Sequence, residues 1–140
     1  MSAADASATA FLAAAAAHAG FQVTVTTLVY PVLARVPPDR WEEAHRRHSR
    51  AIVPLVVLLY GALVLTSVPF VTHHHGPAAW VGVAGAWGAM LVTATAAAPT
   101  HGRLTTPAPH LLRRLLAVDR LRAVLACLAL VGAAVTALSA

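Results

Sequence analysis

Lysine is missing from this sequence, and its ten basic residues are all arginine. Acids are scarce, five in 140 residues, and charged residues make up 11% of the chain. That is less than half of the ~25% usual for a soluble domain. A lone cysteine, Cys127, excludes a disulfide within the chain, and its apolar setting makes it a small hydrophobe. The opening MSAADASATAF has no lysine or arginine. A secretory leader needs a basic n-region, so the first apolar run reads as retained. What the chain has instead is 59% hydrophobic residues and a mean hydropathy of +0.71. A soluble domain of this size has too much surface to bury so much apolar area. The composition is that of a membrane protein.

Four runs reach the ~20 residues that a helix needs to cross the hydrocarbon core: residues 8–34, 51–72, 77–98 and 123–140. None of the four holds an acid or an arginine. Lipid offers the backbone no hydrogen-bond partners, and the runs are too long for barrel strands, so helices are expected. The sequence therefore predicts an all-α, integral membrane four-helix bundle formed as one domain over residues 1–140.

The arginines set the orientation. Arg35, Arg40, Arg46, Arg47 and Arg50 lie between the first and second runs, and Arg103, Arg113, Arg114, Arg120 and Arg122 between the third and fourth. The N-terminus, the turn at 73–76 and the C-terminus carry none. Arginine-rich short loops stay cytoplasmic, so both termini are expected outside and both arginine-rich loops inside a bacterial cytoplasmic membrane. This partition also accounts for the net charge of +5. The arginines meet lipid headgroups, and nucleic acid is excluded as a partner.

Both inner loops read as helical extensions. Asp39 with Glu42 has the capping-box spacing, predicting a helix that starts near Trp41 and continues into the second span. Thr106 followed by Pro107 predicts a second helix over 107–122, lying in the interface before it turns into the fourth span. Gly102 reads as a left-handed helix stop. Ala78, Gly82 and Ala86, with Gly85 and Ala89, have the small-xxx-small spacing of close helix contacts.

Polar side chains in such a chain need a reason. Glu42, His45 and His48 are three apart, hence on one helix face. A carboxylate and imidazoles at that spacing suit a metal or proton transfer, and equally a solvated helix end. His101 follows the third span, and Tyr30 sits one turn before the end of the first. Tyr30, His45, His48 and His101 thus come from three segments at one membrane face. His18 and Gln22 lie one turn apart inside the first span, ~18 Å from Tyr30 along the axis at ~1.5 Å per residue. They read as a substrate path or as satisfied bundle residues. Asp119 and Arg122 read as an intrahelical ion pair, or as a carboxylate orienting an imidazole. The tract His73–His75 resembles a metal-binding tract, and in a short outward turn it reads as solvated residues.

Four stretches, GFQVTVTTLVYP, WEEAHRRHSRAIVP, APTHGRL and DRLR, together resemble a family of small four-span bacterial membrane proteins. That family pairs Tyr-Pro late in the first span with a histidine before the second, Pro-x-His-x-x-Leu after the third and Asn-x-x-Arg at the fourth. The matching positions are Tyr30-Pro31, His45, Pro99/His101/Leu104 and Asp119/Arg122. Asp119 departs from the pattern, which has asparagine there. The group is distantly similar to the anthrone-oxygenase-like membrane proteins, which are thought to oxidise polycyclic phenols with dioxygen.

The expected function is a membrane oxidoreductase, oxygenase-like, acting on an apolar or amphiphilic small molecule taken from the bilayer. Tyr30, His45, His101, Asp119 and Arg122 are its expected catalytic residues. His45, His48, His101 and Glu42 are the candidate ligands for a transition metal, copper, iron or zinc. His18 and Gln22 are the candidate substrate path. The alternatives are a small transporter, which at this length has to form a homo-oligomer, and an accessory subunit of a membrane complex.

Overall fold

The computed structural model describes residues 1–106 and 108–139. Among these, every regular element is helical and four helices are long and apolar enough to span a membrane: Ala3–Leu33, Pro38–His73, Pro77–Gly102 and Pro109–Ser139. They form a four-helix membrane bundle.

The first rod opens with α1 (Ala3–Thr24), where Ser2 and Asp5 form a reciprocal capping box. It passes through a π-helical turn, Val25–Val29, into α2 (Tyr30–Leu33). The third rod repeats this design: α4 (Pro77–Val92), a π turn Thr93–Ala97, then α5 (Ala98–Gly102). Each π turn ends two residues before a proline, Pro31 or Pro99. A proline ring collides with the carbonyl four residues back in a plain α-helix. A one-residue π insertion widens the turn there, so the backbone passes the ring without breaking. Between them, α3 (Trp41–His73) carries Pro54 and Pro69 inside a continuous helix, and α6 spans Pro109–Ser139.

The closest packing joins α4 and α6. A Cβ built on Gly132 meets the Gly82 nitrogen at 2.4 Å and the Ala78 carbonyl at 2.6 Å, and one on Gly85 meets the Leu125 carbonyl at 2.7 Å. The backbones touch because these positions have no side chain. One half of the bundle is filled by alanines around stacked Phe11 and Phe70, ring centroids 4.4 Å apart. The arginine-rich end has its own core of Val25, Tyr30, Leu33, Trp41, Leu104 and Leu115. Outward-facing Leu28, Val57, Leu65 and Leu91 are more than half exposed, as a lipid-facing surface requires.

Three local expectations are corrected. Asp39 does not cap α3: it lies in a 3-10 turn, Pro38–Arg40, and Arg40 stands at the cap with no side-chain bond. The acids of the first turn, Glu42 and Glu43, pair with Arg46 instead. Gly102 is not a left-handed stop, since no described residue has a positive φ; the chain leaves through Arg103 in right-handed geometry. The helix expected over 107–122 as a separate interfacial element starts at Pro109 and runs unbroken into the fourth span. Leu115 is buried and Leu111, Leu112 and Leu116 pack on the core around Trp41, so this apolar face meets protein, where burial on Trp41 and Leu104 replaces burial in lipid. Pro107 itself lies outside the described residues.

Candidate functional site

The arginine-rich end gathers aromatic and imidazole side chains into a column. Trp41, 1% exposed, is fixed by its indole N–H, which donates to the Leu104 carbonyl at 3.2 Å. Its ring stacks on His45, centroids 5.4 Å apart, and His45 stacks on His101 at 4.3 Å. His45 Nε2 and His101 Nδ1 are 3.1 Å apart. A centroid separation of 4.3 Å is short for two imidazoles bonded in one plane, so the contact combines ring overlap with an oblique N···N approach. His48 and Tyr30 stand beside the column, at 5.5 and 6.4 Å from the His101 ring and 5.8 Å from each other. The outer nitrogens, Nε2 of His48 and Nε2 of His101, are buried with no partner among the described residues. Tyr30, His45, His48 and His101 therefore meet within one cluster.

Glu42 does not join them. Its side chain is 88% exposed and lies 3.7 Å from Arg46, because the helix turns that face towards water. Among the described residues no group of three or more His, Cys, Asp or Glu is arranged to hold a metal. His45 and His101 bring two ring nitrogens to within 3.1 Å of each other.

Deeper in the bundle a second group forms around Asp119, which is fully buried. Its Oδ1 accepts from Gln22 Nε2 at 2.7 Å and from Arg122 Nη1 at 3.1 Å, and its Oδ2 accepts from Thr26 at 2.5 Å. Asp119 bonds no imidazole; the intrahelical pair with Arg122 is the arrangement found. Arg122 Nη2 donates to the Tyr60 hydroxyl at 3.4 Å, and that hydroxyl donates to Thr93 Oγ1 at 2.5 Å, whose own hydrogen goes to the Ala89 carbonyl at 2.8 Å. His18 is fully buried and packs edge-on against Tyr60, centroids 5.4 Å apart.

Between the two groups lies a cavity of about 270 Å³. Its walls are apolar, formed by Phe21, Val25, Ile52, Val53, Val56, Val57, Ala97 and Ala98, and its polar groups include Tyr30, Thr93, His101 and Arg122. Both π turns contribute to the lining, Val25 from one and Thr93 with Ala97 from the other. Val53 and Val57 are 56% and 66% exposed, which sets the mouth on the lipid-facing side of α3. His18 and Gln22 do not line this cavity. Gln22 is engaged by Asp119 and His18 by Tyr60.

The sequence reading missed Tyr60 and Thr26. The signal for Tyr60 was present, a phenol in the middle of an apolar span, where a polar group needs a partner. Thr26 had no such signal, since a span threonine ordinarily satisfies itself on its own helix, as Thr24 and Thr27 do here.

Compared with known proteins, the chain matches no family model, no curated protein and no solved structure.

Proposed function

We propose that this chain is an oxidoreductase of the bacterial cytoplasmic membrane that takes an apolar or amphiphilic molecule from the bilayer. The cavity carries this reading: apolar walls with a lipid-side mouth end on Tyr30, His101 and Arg122, and His101 continues to His45 near the arginine-rich surface. Concave apolar sites with a few convergent polar groups are the usual form of small-molecule sites. The arginine partition supports a cytoplasmic position for the polar end.

The reaction that fits is oxygenase-like, oxidation of a ring methylene to a carbonyl by dioxygen. Two C–H bonds break, one oxygen atom goes to carbon, and the other leaves as water with the two hydrogens. Arg122 and Tyr30 donate hydrogen bonds to the substrate oxygen, where negative charge gathers once a ring proton leaves. Unpartnered Nε2 of His101 is the atom placed to take that proton, with His45 stacked behind it towards the surface. Asp119 holds Arg122 in place.

A metal-bearing version uses His45 and His101 as ligands and requires His48 to turn towards them. The predicted difference is metal content: copper, iron or zinc purifies with the protein and is lost in His101→Ala.

The test is oxygen uptake with anthrone by protein purified in mild detergent. Wild type is expected to consume oxygen above the protein-free rate. His101→Ala is expected to lose on the order of 10²-fold, the usual contribution of one acid–base group. Uptake equal to the protein-free rate, or equal in wild type and His101→Ala, removes the proposal.

A further inference from the structure

Next to the polar end of the cavity, three buried side chains keep hydrogen-bonding atoms with no protein partner. His18 and Gln22 are 0% exposed and Arg122 is 4% exposed. Unpartnered among the described residues are both ring nitrogens of His18, Oε1 of Gln22 and Nε of Arg122. The three converge on one place. His18 and Gln22 lie one turn apart on α1 and so share a face. Gln22 and Arg122 bond the same oxygen of Asp119. His18 and Arg122 both meet Tyr60, one at its ring and the other at its hydroxyl.

These atoms are chemically complementary. Arg122 Nε only donates, Gln22 Oε1 only accepts, and a neutral imidazole offers one donor and one acceptor. Leaving them unsatisfied inside a membrane is costly. They make no direct bonds to one another, and a buried water typically serves about three such atoms.

We propose that His18, Gln22 and Arg122 line a hydrated chamber in the middle of the bundle, joined to the apolar cavity for proton exchange through Tyr60 and Thr93. Thr93 and Arg122 belong to the cavity lining. The Tyr60 hydroxyl touches both, at 2.5 and 3.4 Å. Thr93 Oγ1 donates to the Ala89 carbonyl at 2.8 Å at rest, and turning that hydrogen towards the cavity, as Thr93 takes one from Tyr60, completes the exchange. In the other direction the path is closed. Ala14 and Ala15, one turn before His18, pack with Phe11, Leu63 and Phe70 in the apolar core. Asp119 is occupied by Gln22, Thr26 and Arg122 and forms a neutral pair with the arginine. The chamber is therefore a side room of the cavity, and exchange between His18 and bulk water runs through the cavity. This holds whether or not the cavity performs the proposed oxidation, and no activity is needed to test it.

The experiment is solid-state NMR of the full chain, labelled with ¹⁵N at histidine, in lipid bilayers. His18→Phe assigns the His18 ring signals. Wild type is expected to show magnetisation transfer from water to the His18 nitrogens and exchange of the ring N–H with D2O. Removing the link, as Tyr60→Phe or as Thr93→Val, is expected to slow that exchange by about tenfold or more, the equivalent of one lost hydrogen bond. Thr93→Val leaves the Tyr60 ring against His18, so the outcome is decided even where Tyr60→Phe fails to fold. Absence of water transfer to His18 in wild type overturns the chamber. Exchange unchanged in both variants, or in Thr93→Val where it alone folds, overturns the connection.

Discussion

Gln22 and Asp119, 97 positions apart in the chain, are joined by a buried hydrogen bond of 2.7 Å. That bond ties the first rod to the fourth at the depth where Arg122 enters the cavity lining. Thermal unfolding in detergent should rank the variants accordingly. Asp119→Leu leaves a buried guanidinium unpaired and is expected to cost about 3–5 kcal/mol. Gln22→Leu removes one of the three donors to Asp119 and is expected to cost about 1–3 kcal/mol. The reverse order would show that the carboxylate is not the centre of this group.

The glycines divide into two classes. Gly85 and Gly132 sit where a Cβ lies within 3 Å of a neighbouring backbone, whereas Gly20 has nothing within 4 Å. Gly132→Leu is expected to separate α4 from α6 and abolish a cooperative melt. Gly20→Ala is expected to raise stability by about 0.5–1 kcal/mol, the usual helix-interior difference. Equal melting behaviour of the two variants would contradict the close packing.

Filling the cavity should stop turnover without touching the polar groups. Val56→Trp places bulk on a cavity wall and is expected to abolish anthrone-dependent oxygen uptake. Leu65→Trp, on the lipid-facing side of the same helix, is expected to leave it unchanged. Equal effects from both would detach the activity from this cavity.

Orientation is open to direct labelling. In a Cys127→Ser background, a cysteine at Arg47 should react with an impermeant maleimide only after spheroplasts are opened, and one at His75 should react in intact spheroplasts. The opposite pattern would invert the assignment drawn from the arginines.

The four spans were legible because lipid imposes one coarse demand on a sequence, an apolar length, and it survives any detail of packing. The small residues of α4 were legible too, although their partner was not. Gly132 on α6 meets Gly82 through backbone geometry that no spacing on a single helix encodes. Around the candidate site the residue types were visible and the directions were not. Glu42 shares a helical face with His45 by spacing, but Arg46 and water claim it. Asp119 offered a partner for a histidine, and Gln22 and Thr26 occupy it from another helix. The apolar face of 109–116 suggested a helix lying on lipid, because sequence pattern cannot tell a lipid neighbour from Trp41. His18 and Gln22 share a face as their spacing implies, but neither lines the apolar cavity.

The two widened turns ahead of Pro31 and Pro99 also fix where side chains point. A π turn absorbs one residue more than an α turn, so the rod beyond it keeps the phase of an α-helix one residue shorter. Straightening 25–29 or 93–97 to α geometry at full length would leave a rod that still crosses the bilayer, yet would rotate Tyr30 or His101 by roughly 100° away from the pocket. Deleting one position there would do the opposite, sparing aim and fold together.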